Sequence, residues 1–321
     1  MTSMVCHKCG ERAAIRMRQH RLALCKTHYL EWFMEQTERV IQKYHMFRPE
    51  EAVLVAVSGG KDSLALWDVL WRLGYKVDGL YIHLGIEGET AAEDGALPGA
   101  YSDESEQYAR AFAEERSLTL HVVNIAEMYG APVPALARRT RRTRSGRLKP
   151  CSACGMVKRH EMNRVAQDLG YAVLATAHNL DDETAILFGN VLHWQTDLLS
   201  RQSPALEAAD GFRRKVKPFC RFSERETAAY TLLRGISYIE DECPFAEGSK
   251  QLAHKEILNR IEEEQPGTKL AFYTGFLNAR ARGLFHSSPA ADEGVELRPC
   301  PTCGQPTTSQ DECAFCRLTN M

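Results

Sequence analysis

Along this chain, apolar residues recur with two different periods. Short apolar runs suited to buried strands occur at Val53–Val57, Val77–Leu84, Leu118–Asn124 and Ala172–Ala177. Longer stretches between them carry apolar residues three and four positions apart. Met162, Val165, Ala166 and Leu169 fall at i, i+3, i+4 and i+7, which predicts a helix with one apolar face. Leu30–Tyr44, Glu224–Gly235 and Lys255–Glu264 also read as helices, the last stopping before Pro266-Gly267. Trp32, Phe33, Val40 and Ile41 offer the first of these an apolar face to bury. Val216-Lys217-Pro218-Phe219 has the pattern of an edge strand. Strands alternating with helices predict an α/β fold, a parallel sheet with helices on both faces.

Charge adds segregation to this picture. Forty Lys and Arg face 42 Asp and Glu, a formal net charge of −2, so the chain as a whole is no polycation. Yet Arg138, Arg139, Arg141, Arg142, Arg144, Arg147 and Lys149 lie together without one acid among them. Such a block either attracts the phosphates of an RNA or is simply a solvated loop. Glu87–Glu106 is acidic and carries Gly, Ala and Pro, which reads as an exposed loop. No apolar run approaches the length of about 18 residues that a membrane span needs. The start Met1-Thr2-Ser3-Met4-Val5-Cys6 lacks a secretory pattern, so a cytoplasmic location is expected.

Eleven cysteines in such a setting point to metal or catalysis rather than disulfides. Cys6-x-x-Cys9 with Cys25-x-x-His28 supplies four soft ligands for one tetrahedral Zn²⁺. Cys300-x-x-Cys303 with Cys313-x-x-Cys316 does the same at the other end. Both read as closed structural sites. Neither short segment builds a core of its own, so metal would supply its folding free energy, and small knuckles of this kind contact nucleic acid. A third group, Cys151-Ser-Ala-Cys154, follows Pro150 near a predicted helix start. With one distant cysteine, this pair would hold three irons of a [4Fe–4S] cluster and leave the fourth open to a substrate ligand. Lys158 lies one helical turn beyond Cys154, which lets its amine reach the same place. Both Cys220 and Cys243 remain open as the third ligand, the latter in the turn Asp241-Glu242-Cys243-Pro244.

Ser58-Gly59-Gly60-Lys61-Asp62-Ser63 follows the strand Val53–Val57 and opens into a helical stretch. Small residues at a strand-to-helix turn let backbone amides approach a phosphate, aided by the field of the helix start. The order is not that of a Walker A loop. It resembles the SGGxDS signature of PP-loop ATP pyrophosphatases, which split ATP between the α- and β-phosphates and adenylate a carbonyl oxygen. On that reading, Ser58, Gly59, Gly60 and Ser63 hold the pyrophosphate and Lys61 neutralises it. Asp62 and Asp182 either coordinate Mg²⁺ and orient the nucleotide or serve as helix N-caps. The stretch His178-Asn179-Leu180-Asp181-Asp182-Glu183 also follows a predicted strand end, where such sheets bind ligands.

Taken with both knuckles, these motifs resemble the tRNA 2-thiouridine synthetases, the TtuA-type members of the TtcA family. Further matching phrases are His83-Leu84-Gly85-Ile86, Tyr101-Ser102-Asp103 and Glu224-Arg225-Glu226-Thr227-Ala228. The resemblance implies a PP-loop ATP pyrophosphatase domain flanked by N- and C-terminal zinc knuckles. Its implied boundaries are 1–29 for the first knuckle, 30–49 for a connecting helix, 50–290 for the catalytic domain and 291–321 for the second knuckle. It implies that Cys243 joins Cys151 and Cys154 on a [4Fe–4S] cluster, and that Cys220 is an extra thiol. Asp62, Lys158 and Asp182 are the implied catalytic residues, with His83 and His178 beside the ATP. The implied reaction is ATP-dependent 2-thiolation of a tRNA uridine, the T-loop uridine being favoured. A ubiquitin-like carrier protein with a C-terminal thiocarboxylate is the implied sulfur source, and a homodimer is compatible with the family. A sister class acting on the wobble uridine shares the same cassette, and a non-thiolating PP-loop synthetase is the other alternative. The acidic stretch between Ile86 and Tyr101 is longer than the loop that relatives carry there.

Overall fold

The computed structural model describes residues 4–87, 100–139, 148–209, 211–246, 250–285 and 297–319. Its centre is a six-stranded sheet. Strands β3 (Val53–Val57), β4 (Val77–His83) and β5 (Leu120–Asn124) run outward in one direction from the middle. On the other side of β3 lie β6 (Val173–Ala175), β8 (Arg214–Val216) and β7 (Ala205–Leu206), in that order. All pairings are parallel except that of β7 with β8. The expected parallel α/β sheet is therefore present, with an antiparallel edge. Chain direction across the sheet reverses between β3 and β6, and ligands of open α/β sheets bind at the carboxyl ends of such a pair.

Strand β3 shows why both faces are covered. Val53, Val55 and Val57 point into one apolar cluster, while Leu54 points into another. Alternating side chains on a strand divide between faces, and here neither face is polar. The first cluster is shared by helices α1 (Lys26–Lys43), α2 (Lys61–Arg72), α3 (Ala100–Arg116), α7 (Leu180–Leu192), α9 (Glu224–Arg234) and α11 (Thr268–Ala281). The second is built by α5 (Val133–Arg139), α6 (Pro150–Asp168) and the C-terminal knuckle. Short helices α4 (Ile125–Tyr129) and α8 (Thr196–Arg201), and helix α10 (Lys250–Glu264), complete the layers.

Several boundaries differ from the sequence expectation. Helix α1 begins at Lys26, not Leu30, because Cys25 is its N-cap and His28 sits in its first turn. The first knuckle, a hairpin of β1 (Ile15–Met17) and β2 (Leu22–Leu24), thus runs directly into α1. Phe33 of that helix meets Phe222 at 4.3 Å and Tyr230 at 4.7 Å between ring centroids, so α1 is part of the core. The expected edge strand at Val216–Phe219 is instead the end of the inner strand β8, followed by a turn. Pro218 has no N–H for the ladder, and pairing stops before it. Residues 100–106, read as loop, open α3; there Ser102 and Ser105 are buried and Tyr81 donates to the Ser102 carbonyl at 2.7 Å. The central part of that acidic stretch lies outside the described residues. Leu169 is half exposed because α6 ends at Asp168.

At the chain's end, β9 (Arg298–Pro299) pairs with β10 (Pro306–Thr307), and helix α12 (Ala314–Thr319) packs against α6. None of the described helices is long and apolar enough to cross a membrane.

Candidate active site

Ser58–Gly60 leave the end of β3, and α2 starts at Lys61 with Gly60 as its N-cap. Asp62 is therefore inside the first turn and is not the cap. The loop is held by its own serines. Ser63 Oγ accepts from the Ser58 amide at 3.0 Å and donates to the Gly60 carbonyl at 2.9 Å. Gly59 has φ +74°, and a Cβ there would run into the Ser105 carbonyl of α3. Only glycine lets the loop pass under α3 in this conformation.

Beyond β6, Asn179 caps α7 and its side chain accepts from the Asp182 amide at 3.1 Å. Asp182 returns the bond by accepting from the Asn179 amide, completing a capping box. The two neighbouring acids then diverge. Asp181 is buried, receives Lys269 Nζ at 2.6 Å and the Glu224 amide at 2.9 Å, and ties α7 to α9 and α11. Asp182 faces a cavity of about 350 Å³.

That cavity joins the motifs. Its walls include Ser58, Asp62 and Ser63 of the loop, His178 and Asp182 beyond β6, and Cys154, Lys158 and Cys243. Leu84, Ile86, Tyr101 and Met162 give it an apolar side. Cys151 lies just outside the wall, exposed, donating its Sγ proton to the Phe245 carbonyl at 2.9 Å. Gly59, Gly60, Lys61 and His83 are also outside the wall. His83 is buried at the end of β4, with Nε2 2.9 Å from Asp103. Cys220 is fully buried among Phe219 and Phe222, and burial pushes its thiol up to about 12. It is a core residue, far in kind from Cys243, which the cavity exposes.

The electrostatics of the site centre on a chain of opposite charges that the sequence reading did not foresee. Lys61 Nζ lies 3.2 Å from Asp62 and 2.8 Å from Glu224. Lys255 Nζ lies 3.4 Å from the other oxygen of Glu224 and 2.7 Å from Asp182. Thr227 donates to the remaining oxygen of Asp62. Three carboxylates thus share two ammonium groups. Burial works against the charge of Lys61, but Asp62 and Glu224 outweigh it and hold its pKa above the ordinary value. The pKa of Glu224 is lowered, because its bond to Lys61 and the charge of Lys255 overcome burial. Asp62 remains raised by burial despite Lys61. Glu224 and Thr227 lay in a phrase already matched to the family; Lys255 carried no signal beyond helix periodicity.

At the thiol end, burial is the largest influence on Cys243 and raises its pKa, Cys154 and Cys151 add to the rise, and Lys158 opposes it. The Tyr101 phenol is pushed up to about 12 by burial and by Cys243 and Cys154. His178 is exposed to the cavity yet crowded by protein, and this burial together with Lys217 lowers its pKa. Its Nδ1 lies 2.9 Å from Thr176 Oγ1.

Among the described residues, two groups have donor atoms all within 4.8 Å of one another: Cys6, Cys9, Cys25 and His28, and Cys300, Cys303, Cys313 and Cys316. These two sets are able to hold a metal ion. In the second, the Cys313 amide donates to Cys300 Sγ at 3.2 Å, an environment suited to thiolates. Cys151, Cys154 and Cys243 form no such compact group. Three soft donors converging loosely on one cavity fit a polynuclear cluster better than a single ion. Of the basic block, Arg138, Arg139 and Lys149 are exposed, and positions 140–147 lie outside the described residues.

A parallel sheet with this loop at its direction reversal defines a PP-loop protein, and the PP-loop domain model matches residues 30–247. Residues 5–30 match the model described as the 2-thiouridine synthetase TtuA, N-terminal LIM domain. The chain is 52% identical to the tRNA-5-methyluridine(54) 2-sulfurtransferase of Thermus thermophilus, over 98% of this chain and 91% of the relative. It is 40% identical to the enzyme of the same name from Pyrococcus horikoshii, over 98% and 93%. The chain belongs to the tRNA-5-methyluridine(54) 2-sulfurtransferase family. Its fold is shared with the U34-tRNA thiolase NcsA from Methanococcus maripaludis, whose structure includes its [4Fe–4S] cluster. That match has TM-score 0.76 and 22% identity, and covers 100% of this chain and 97% of the other.

Proposed function

We propose that this enzyme replaces the C2 oxygen of uridine 54 in the T-loop of tRNA with sulfur at the expense of ATP, and that the cavity described above is where it does so. The observation that carries this reading is the shared wall: phosphate-loop serines, an acid, a lysine and two thiols line a single cavity. A uracil oxygen is a poor leaving group. It attacks the α-phosphorus of ATP, and pyrophosphate departs. A sulfur nucleophile then adds at C2, and AMP leaves carrying the original oxygen.

The chain's residues divide this work. Ser58, Gly59, Gly60 and Ser63, with the amides at the start of α2, hold the departing pyrophosphate. Lys61 and Lys255 turn from their carboxylates toward the incoming phosphates, which frees Asp62 and Asp182 for Mg²⁺. Tyr101, Leu84, Ile86 and Met162 take the base, which must leave its stack to reach the cavity. Lys158 stabilises negative charge as it moves between sulfur and oxygen at C2. A [4Fe–4S] cluster held by Cys151, Cys154 and Cys243 supplies, when bound, an iron with a free coordination position for sulfur. Zn²⁺ at each knuckle is structural. Sulfur arrives as a thiocarboxylate on a ubiquitin-like carrier protein.

The test is anaerobic incubation of the iron-loaded enzyme with ATP, sulfide and unmodified-sulfur tRNA, followed by nucleoside mass spectrometry and AMP assay. Equal amounts of AMP and 2-thiolated uridine at position 54 are expected. AMP formed with a small acid and no tRNA dependence would move the chain to the non-thiolating synthetases.

A further inference from the structure

Helix α6 presents Cys154 and Lys158 to the cavity, and its next turn is built for something else. The His160 ring lies flat on Phe315 of α12, with centroids 3.6 Å apart and 6° between planes. Its Nε2 is 3.4 Å from Sγ of Cys303, one of the C-terminal metal-ligand candidates. Its Nδ1 is 2.8 Å from Glu161, a fully buried carboxylate that also receives Tyr129 at 2.8 Å and Arg164 at 2.7 Å. Further along the helix, Asn163 donates to Gln305 at 2.6 Å, and Gln305 donates to Gln167. None of these residues lines the cavity or enters the chemistry above.

A knuckle used only to touch RNA would need a solvated face and a loose tether. This one is docked. Cys300, Cys313, Phe315, Cys316 and Leu318 share an apolar cluster with Ala153 and Val157 of α6, and Cys154 and Cys243 pack against the same cluster. The start of α6 also has no side-chain cap, so the direction of its first turns depends on what packs beside them. A helix is stiff over two turns, and fixing its middle fixes the groups one turn earlier.

We infer that the C-terminal knuckle is a clamp on α6 and that His160 is a positioning residue for the thiols and Lys158. A metal ion in the knuckle immobilises Cys303; Cys303 and Phe315 immobilise the His160 ring; the ring sets the rotation of the helix that presents Cys154 and Lys158. The four knuckle sulfurs fit such an ion by their mutual spacing and by the backbone amides aimed at them.

Hydrogen–deuterium exchange on the full chain tests this, with zinc loaded and iron absent, comparing wild type with His160→Phe and His160→Gln. His160→Phe keeps a ring on Phe315 but loses both polar contacts. The amides of residues 153–160 should then exchange roughly tenfold faster or more, as loss of a buried hydrogen bond implies. Alkylation of Cys154 should rise in step. His160→Gln, which retains a donor, should recover most of the protection. Should His160→Phe fail to fold, chelation of zinc from the wild type must produce the same local opening. Unchanged exchange across residues 153–160 in both the variant and the chelated protein overturns the clamp. Neither readout needs iron or tRNA, so failure here is separate from failure of the sulfur-transfer reading on which the thiols' role rests.

Discussion

Lys255 Nζ lies 2.7 Å from Asp182 Oδ1, so a lysine of α10 holds the acid that the catalytic cavity presents. Burial opposes the charge of Lys255, yet Asp182 and Glu224 overcome it and keep its pKa above the ordinary range. Lys255→Met leaves Asp182 and Glu224 without their shared cation. Stability should fall by about 1–3 kcal/mol, as when a buried partner is removed. AMP formation should fall by about tenfold or more and require more Mg²⁺, because the cation then also does the lysine's work. Titrating AMP release against Mg²⁺ checks this, and an unaltered Mg²⁺ dependence contradicts it.

Gly59 combines φ +74° with a Cβ position that the Ser105 carbonyl already occupies. Gly59→Ala should cost about 1–3 kcal/mol of backbone strain. The loop cannot deform without moving its amides, so ATP affinity should drop by about tenfold or more. Calorimetric titration with ATP measures the loss, and wild-type affinity in the variant rejects the cradle.

The lowered pKa of His178 has a definite sign in stability. Native His178 stays neutral below its ordinary value of 6.5, whereas the unfolded chain takes up a proton there. The unfolded state binds more protons, so this residue's contribution is intact above pH 6.5 and shrinks as pH falls toward its depressed pKa. In His178→Gln, the melting temperature should therefore decline less on acidification through that window than in the wild type. Parallel curves for the two proteins contradict the assignment.

Cys220 and Cys243 should separate cleanly. Cys220→Ser buries a hydroxyl among Phe219 and Phe222 and should cost about 1–3 kcal/mol while leaving the iron content as it was. Chemical denaturation and iron analysis on one preparation give both numbers. Iron lost from a folded Cys220→Ser protein would return Cys220 to the ligand set.

How much of this was legible beforehand depended on locality. The strand Val53–Val57, the loop after it and both four-ligand groups are contiguous patterns, and each is found in place. Family likeness, not spacing, distinguished Asp182 from Asp181; the structure supplies the reason, since Lys269 has already claimed Asp181. Lys255 and His160 were invisible because their meaning lies in partners 73 and 143 positions away, Asp182 and Cys303. The start of α3 was lost to a loop reading because Ser102 and Ser105 look polar in sequence. They are buried only because Tyr81 and the Ile86 amide bond to them. Leu169 shows the opposite error, a correct period carried one residue past the helix end.

The most direct test of the central claim is sulfur incorporation at position 54 of tRNA by anaerobically iron-loaded wild type, Cys243→Ala and Lys158→Ala, with ATP binding measured on each. The account predicts thiolation by the wild type, a loss of about a hundredfold or more in both variants, as for removal of a group acting at the transition state, and unchanged ATP affinity throughout. Thiolation that persists in Cys243→Ala with iron absent would contradict it, for the thiols lining the cavity would then have no part in delivering sulfur.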